Sequence, residues 1–247
     1  SILALRSLVE QIVGDDFKVD VLVPAGASPE SFEPTPRQYV ALNQSKLVFN
    51  VGLIDFEQNL LRDLPDREKL VNLSRGIRLL EGSCAHGHTH EPTGKARASE
   101  GHAHGIDPHI WTSPRALKQM AANAYDALRT SFPDSVRYTE NYEKLLVRLD
   151  SLDTACAEAL RQADYGLEQL AVEHDGKEPS ARHLARLIEE ARRKKVRHVF
   201  YQAQYPASTV KVIAEDIGAR SVKIDPLRED VIENIGEITR QLTSGNE

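Results

Sequence analysis

Helix and strand patterns alternate along the first eighty residues. Three stretches indicate helices, either through apolar residues at every third or fourth position or through an opening proline. These stretches are 5–13, 36–45 and 54–64. Short β-branched or apolar runs between them predict strands. The runs are 19–23, 46–51 and 70–73. Strands that alternate with helices favour parallel pairing through right-handed crossovers, as in an α/β lobe.

The middle of the chain carries the longest helical pattern. One helix is predicted from Ser113 and Pro114 to about residue 131, and a second from Pro133 to about residue 163. Such a second helix of thirty residues would be roughly 45 Å long. That length exceeds what one small lobe needs, so we predict a rigid strut that joins two lobes.

Helices and strands alternate again in the last part of the chain. Helices are predicted over 179–195, 208–217 and 231–242, and strands over 196–202 and 221–224. The predicted fold class is therefore α/β, with two lobes that contain parallel sheets, one long joining helix and a cleft between the lobes. The corresponding domains are an N-terminal lobe (1–112), a helical segment (113–164) and a C-terminal lobe (165–247).

Composition narrows the function classes. The chain has 247 residues, enough for two lobes that each bury a core. Its net charge of -6 argues against nucleic acid or an anionic membrane as partner. It has no run of eighteen apolar residues that could span a bilayer. It opens on Ser1 without a signal pattern, which indicates a processed or trimmed form.

The histidines give the strongest chemical signal. The chain has nine, and six of them lie between His86 and His109. His109 stands in the segment 105–111 (Gly-Ile-Asp-Pro-His-Ile-Trp), where the proline stiffens the backbone. Neutral imidazole is a good ligand for zinc and its transition-metal neighbours. We interpret His109 as a metal ligand rather than as a residue that only packs against Trp111.

The remaining five of these histidines lie in a loop, 82–106, that is rich in glycine, serine, threonine and proline. They are His86, His88, His90, His102 and His104. Alternate histidines on such a loop would collect divalent ions weakly, because no scaffold fixes their geometry. A chance histidine tract or a purification tag is the alternative, and the internal position of the cluster disfavours a tag. Cys84 could touch a metal there but is not expected to be a permanent ligand, whereas Cys156 is expected in the core.

Two further segments place carboxylates where α/β folds carry ligand residues, at the carboxyl ends of strands. The loop 26–36 offers Glu30 or Glu33, although it could equally be a solvated loop before a helix. Asp225 follows the last predicted strand, where an aspartate before proline is also common in simple turns.

Taken together, these segments resemble the zinc- and manganese-specific solute-binding proteins of bacterial ABC importers over nearly the whole chain. The resemblance rests on five features in the family's order: the Gly-Ala-Ser-Pro-Glu-Ser-Phe-Glu-Pro-Thr-Pro loop (26–36), the histidine-rich insertion, Asp-Pro-His-Ile-Trp-Thr-Ser-Pro (107–114), Gly-Lys-Glu-Pro-Ser (176–180) and Asp-Pro-Leu (225–227). The Asp-Pro-His segment followed by a helix is the most specific of them.

The resemblance implies capture of a divalent ion outside the cytoplasm, in the periplasm or anchored at the cell surface, and delivery to an ABC permease. It implies no enzymatic activity. It also implies a metal site in the cleft between the lobes, with ligands at Glu30, His109 and Asp225. Zn²⁺ is the favoured ion. The family often has histidine where this chain has Glu30, and the more carboxylate-rich site that results leaves Mn²⁺ possible. We expect a monomer.

The chain departs from the family after the long helix. The resemblance implies a further strand there and a loop with another ligand, usually histidine. The sequence instead passes from Asp164 directly into Tyr165, without room for that strand. His174, His183 and His198 do not match the position and are interpreted as structural or surface residues.

Two other functions compete with capture and delivery. His102, His104, Asp107 and His109 resemble a compact metallo-hydrolase cluster, in which zinc would activate water. The spacing differs by one residue, however, and the downstream ligands lack counterparts. The second alternative is a metal buffer whose only site is the histidine loop.

Overall fold

The computed structural model describes residues 1–62, 64–80, 106–133, 135–163, 180–204 and 207–243. Its first half contains three helices and two short strands. In chain order they are α1 (Leu3–Val13), α2 (Pro36–Gln44), β1 (Val48–Asn50), α3 (Asp55–Arg62) and β2 (Leu70–Asn72).

Two long helices follow, and an α/β segment completes the chain. These elements are α4 (Pro114–Ser131), α5 (Val136–Gln162), α6 (Ala181–Arg193), β3 (His198–Gln202), α7 (Ser208–Ile217), β4 (Arg220–Ile224) and α8 (Val231–Thr243). The mixed α/β class and the long helix are confirmed. The domain boundaries drawn from the sequence stay predictions.

Local sequence accounts for where the helices begin and end. Thr35 caps α2 by accepting a hydrogen bond from the backbone of Gln38, whose side chain accepts in return from the backbone N–H of Thr35. Ser113 caps α4 in a similar way, with proline in the first turn. Gly218 ends α7 with φ of 69°, a left-handed conformation that glycine adopts without a steric cost.

Both sheets in the described residues are parallel pairs. β1 pairs with β2 so that Val48 lies opposite Leu70, and β3 pairs with β4 so that His198 lies opposite Arg220. Each pair brings the carboxyl ends of its strands to one edge, where the segments after the strands can form a site.

The long helix α5 lies at the centre of the packing. It contacts α1, α4 and α8. A single cluster of buried apolar side chains joins these helices and includes Leu8, Leu117, Leu149 and Ile235. The helix is therefore part of a core shared by both halves of the chain and more than a spacer.

One predicted strand, 19–23, is wrong. The structure assigns no strand there. The backbone N–H groups of Leu22 and Val23 both donate to the carbonyl of Ser1, at 3.0 Å. Ser1 itself donates to Phe49 O at 3.0 Å. These two hydrogen bonds reach a single residue and do not form the repeated pairing of a β-ladder. The β-branched composition of 19–23 therefore does not produce a strand by itself.

Most of the predicted histidine loop and the junction after Asp164 lie outside the described residues. Asp107 N donates to Leu80 O at 3.0 Å, which ties together the two chain segments that flank 81–105. None of the described helices is both long and apolar enough to cross a membrane.

Replacement of Leu149 by alanine tests the central position of α5. Leu149 is 0% exposed, whereas Val147 on the same helix is 66% exposed. We expect Leu149→Ala to lower the free energy of unfolding by about 2–5 kcal/mol, because it leaves a cavity in the core. Val147→Ala should change it by no more than about 0.5 kcal/mol. Urea unfolding followed by circular dichroism measures both, and equal losses would contradict the packing described for α5.

Candidate metal centre

His109 lies in the segment 106–113, which leads into helix α4. It precedes a short 3-10 helix, Ile110–Thr112, that leads through Ser113 into α4. The Thr112 hydroxyl donates to His109 O at 2.7 Å, and Thr112 N donates to the same oxygen at 3.1 Å. The backbone that carries the imidazole is therefore fixed before any ligand binds.

Asp107 fixes the orientation of that imidazole. One carboxylate oxygen, Oδ1, lies 2.7 Å from His109 Nδ1 and accepts the backbone N–H of His109 at 2.9 Å. A carboxylate can only accept, so Nδ1 of the neutral ring carries the proton and Nε2 keeps its lone pair. Metal-binding histidines are commonly held in this way by a carboxylate. The sequence analysis assigned Asp107 a chemical role only in the hydrolase alternative. The Asp-x-His spacing was the signal that could have indicated this orienting role.

The same contact changes the acidity of the carboxyl group. The pKa of Asp107 is lowered mainly by the side-chain hydrogen bond from His109, with a smaller contribution from the backbone N–H of His109. Partial burial acts in the opposite direction and raises the pKa. The carboxylate is therefore available as an acceptor throughout the neutral range.

A small cleft lies in front of His109. It has room for about 40 Å³ of solvent, enough for an ion or a few water molecules. Sites for organic ligands usually offer about 300–1,000 Å³, so the size favours an ion. Residues from both halves of the chain line it, including Glu30, His109, Trp111, Gln202, Gln204 and Pro226.

Glu30, and not Glu33, faces this cleft. The loop after Gly26 turns at Ser28, whose hydroxyl accepts the Glu30 N–H at 3.3 Å. Pro29 is buried, while Glu30 is exposed. The loop therefore anchors through its proline and presents the neighbouring carboxylate at the cleft.

Asp225 lies directly after β4 and directly before Pro226, which lines the cleft. Its Oδ1 accepts from Gln204 Nε2 at 2.7 Å and from Leu227 N at 3.1 Å. Its carbonyl oxygen accepts from Asn234 Nδ2 at 2.7 Å. Both of these side-chain hydrogen bonds use Oδ1, so Oδ2 is the carboxylate oxygen that could turn to an ion.

Trp111 joins the two sides of the cleft. Its indole is 2% exposed, and Nε1 donates to Pro226 O at 2.9 Å. The ring also lies 5.2 Å from that of His109, measured between centroids. Packing against Trp111 and a role as ligand, which the sequence analysis treated as alternatives, are therefore compatible for His109.

Two of the three predicted ligands, Glu30 and His109, line the cleft, whereas Asp225 does not; its neighbours Pro226 and Leu227 do. Across the part of the chain that the structure describes, no three His, Cys, Asp or Glu side chains are placed together as a metal-binding group. The assignment of Glu30, His109 and Asp225 thus stays a prediction. The five histidines of the loop lie outside the described residues, as do His174 and Cys84.

The remaining sulfur and imidazole groups stand elsewhere. Cys156 is buried, and its Sγ accepts from the Thr239 hydroxyl at 3.2 Å, as expected of a core cysteine. His183 is exposed on α6, and His198 lies on β3.

A small cleft lined from both halves of the chain, with one parallel strand pair in each half, agrees with the resemblance to solute-binding proteins. The chain belongs to the ZnuA family, described as the periplasmic component A of the zinc-uptake complex, and residues 1–243 match that family. That description gives the hydrolase alternative no support.

Individual relatives agree with this assignment. The zinc-binding lipoprotein AdcA of Streptococcus pneumoniae strain R6 is 26% identical over 241 residues, which cover 88% of this chain and 47% of AdcA. The chain thus spans about half the length of the first curated relatives it matches. The high-affinity zinc uptake protein ZnuA of Bacillus subtilis strain 168 is 26% identical over 252 residues, covering 90% of this chain and 76% of that protein.

Solved structures show the same fold. A zinc-bound deletion mutant of ZnuA superimposes with a TM-score of 0.84 at 29% identity, covering 100% of this chain and 96% of the other. The Pseudomonas aeruginosa protein FpvC, in complex with Mn²⁺, gives a TM-score of 0.78 at 21% identity, covering 99% and 96%. The second comparison supports the fold alone.

The contact between Asp107 and His109 can be tested by titration. In His109→Ala the pKa of Asp107 should rise, because the largest contribution that lowers it is removed. Carbon NMR of the carboxyl groups measures this shift, and His198→Ala serves as a control that should leave it unchanged. An unchanged pKa in His109→Ala would show that the contact does not form in solution.

The lowered pKa of Asp107 makes the stability of the fold depend on pH. The folded pKa of Asp107 lies below its unfolded value, so the contact stabilises the fold above the ordinary carboxyl pKa of about 3.9. That contribution is lost as the pH falls through the lowered folded pKa.

Proposed function

We propose that this protein captures a divalent transition metal ion, with zinc favoured over manganese, and delivers it to the permease of an ABC importer. The observation that carries the proposal is the orientation of His109, whose Nδ1 is hydrogen-bonded to Asp107 Oδ1 at 2.7 Å, so that Nε2 keeps its lone pair for an ion. Membership in a zinc-uptake family supports the same conclusion.

The proposed site takes ligands from both halves of the chain. His109 would supply nitrogen, and Glu30 and Asp225 would supply carboxylate oxygens that offset the charge of the ion. These are ligand types that zinc accepts, and the carboxylates also suit manganese. Glu30 is exposed on its loop, so its side chain can turn towards the ion when the ion enters.

Capture requires the ligands to meet at the ion, and release requires them to separate. Glu30 and His109 lie in the first half of the chain and Asp225 lies in the second. A relative displacement of the halves would therefore separate Asp225 from the other two ligands and weaken the binding of the ion. Docking on a permease would cause that displacement. We place this cycle outside the cytoplasm, in line with the family's description as periplasmic. The protein would act there as a monomer, either free or anchored to the membrane.

Calorimetry on His109→Ala tests the proposed ligand. We expect one tight zinc-binding event in the unaltered chain and an affinity at least about a hundredfold lower in the variant, since losing a ligand costs at least as much as losing its hydrogen-bond partner. His183→Ala, which changes an exposed histidine on α6, is the matched control and should bind as the unaltered chain does. Tight binding that survives His109→Ala would contradict the proposal.

Deletion of 86–104 separates the transport function from a metal buffer. Flexible histidine tracts bind ions weakly because no scaffold fixes their geometry. We therefore expect the shortened chain to lose weak, multiple zinc binding while the single tight event remains. Loss of the tight event with the loop, together with unchanged binding in His109→Ala, would favour the buffer.

A further inference from the structure

Gln204 follows the last residue of β3 by two positions and lines the cleft. Ala203 N donates to Ile224 O at 2.8 Å, so pairing with β4 continues up to the residue before it. Gln204 Nε2 then donates to Asp225 Oδ1 at 2.7 Å. Because a carboxylate only accepts hydrogen bonds, this contact decides which end of the amide is the nitrogen. The amide oxygen must point the other way.

That oxygen has no hydrogen-bond donor. Gln204 Oε1 is buried and accepts no hydrogen bond from any residue that the structure describes. Buried carbonyl groups are almost always paired, because an unpaired one has lost its water without compensation. Gln204 also lines the cleft with Glu30 and His109. A buried acceptor without a donor, on a side chain that lines a cleft of ionic size, would gain a partner if a cation bound there.

The geometry points to Gln204 as a specificity-determining residue of the cleft. Its amide oxygen binds the ion, while its amide nitrogen holds the carboxylate of Asp225. This inference rests on the proposed function, since it concerns the same ion and the same cleft. It adds a ligand that the sequence analysis did not consider.

The chemistry of the donor predicts which ion gains most. An amide carbonyl is a hard oxygen donor of the kind that suits manganese, whereas zinc is also well served by imidazole nitrogen. With one imidazole and two carboxylates already proposed, a further oxygen favours manganese more than zinc. Gln204 therefore reduces the ratio by which the affinity for zinc exceeds the affinity for manganese.

Three variants separate the two functions of the amide. Gln204→Ala removes the oxygen and the donor. Gln204→Glu keeps an oxygen at that position but loses the donor to Asp225. Gln58→Ala, which changes an exposed glutamine on α3 away from the residues that line the cleft, is the matched control. Dissociation constants for Zn²⁺ and Mn²⁺ are measured by chelator competition on each variant, on the unaltered chain and on His109→Ala.

We expect Gln204→Ala to weaken Mn²⁺ binding by about tenfold or more and Zn²⁺ binding by a smaller factor, so that the ratio of the two constants changes. Gln204→Glu should keep Mn²⁺ binding within about threefold of the unaltered chain, since its oxygen is retained. Gln58→Ala should leave both constants unchanged.

Two results would overturn the inference. Equal losses in Gln204→Ala and Gln204→Glu would mean that the side chain acts only by holding Asp225. Unchanged constants in both would mean that it contributes nothing to the ion. Neither result affects the proposed function, which fails separately if His109→Ala binds both ions as the unaltered chain does.

Discussion

The indole of Trp111 lies where the two halves of the chain meet, and its hydrogen bond to Pro226 O sets how far apart they stand. Trp111 follows His109 by two residues, and Pro226 follows Asp225 directly. The bond is 2.9 Å long and buried, so separating its partners would leave an unpaired carbonyl and an unpaired N–H, at a cost of about 1–3 kcal/mol for each group. The distance between two of the three proposed ligands therefore depends on this contact.

In addition, two of the proposed ligands are each oriented by a neighbouring side chain. Asp107 orients His109, and Gln204 orients Asp225. Such outer partners reduce the freedom that a ligand loses when an ion binds. Glu30 is presented at the cleft by an exposed loop.

Much of the fold could be predicted because its signals are local. The capping residues Thr35 and Ser113 and the terminal Gly218 mark helix ends within a residue or two, and the apolar spacing of α5 reveals its length. The predicted strand at 19–23 failed because strand formation needs a partner, and composition does not supply one. His109 was recognisable because its aspartate and proline stand beside it in the sequence.

The rest of the site depends on contacts between distant residues. Gln204 and Asp225 are 21 positions apart, and Trp111 and Pro226 are 115 apart. No spacing rule in one sequence connects them. The choice of Glu30 over Glu33 came from the family resemblance, and the position of Glu30 at the cleft agrees with that choice.

The most direct test of the account is anomalous diffraction at the zinc absorption edge, from crystals grown with one equivalent of zinc. The account predicts one strong peak in the cleft, within bonding distance of His109 Nε2 and of carboxylate oxygens from Glu30 and Asp225. A peak coordinated only by histidines of the 82–106 loop, with the cleft empty, would contradict it.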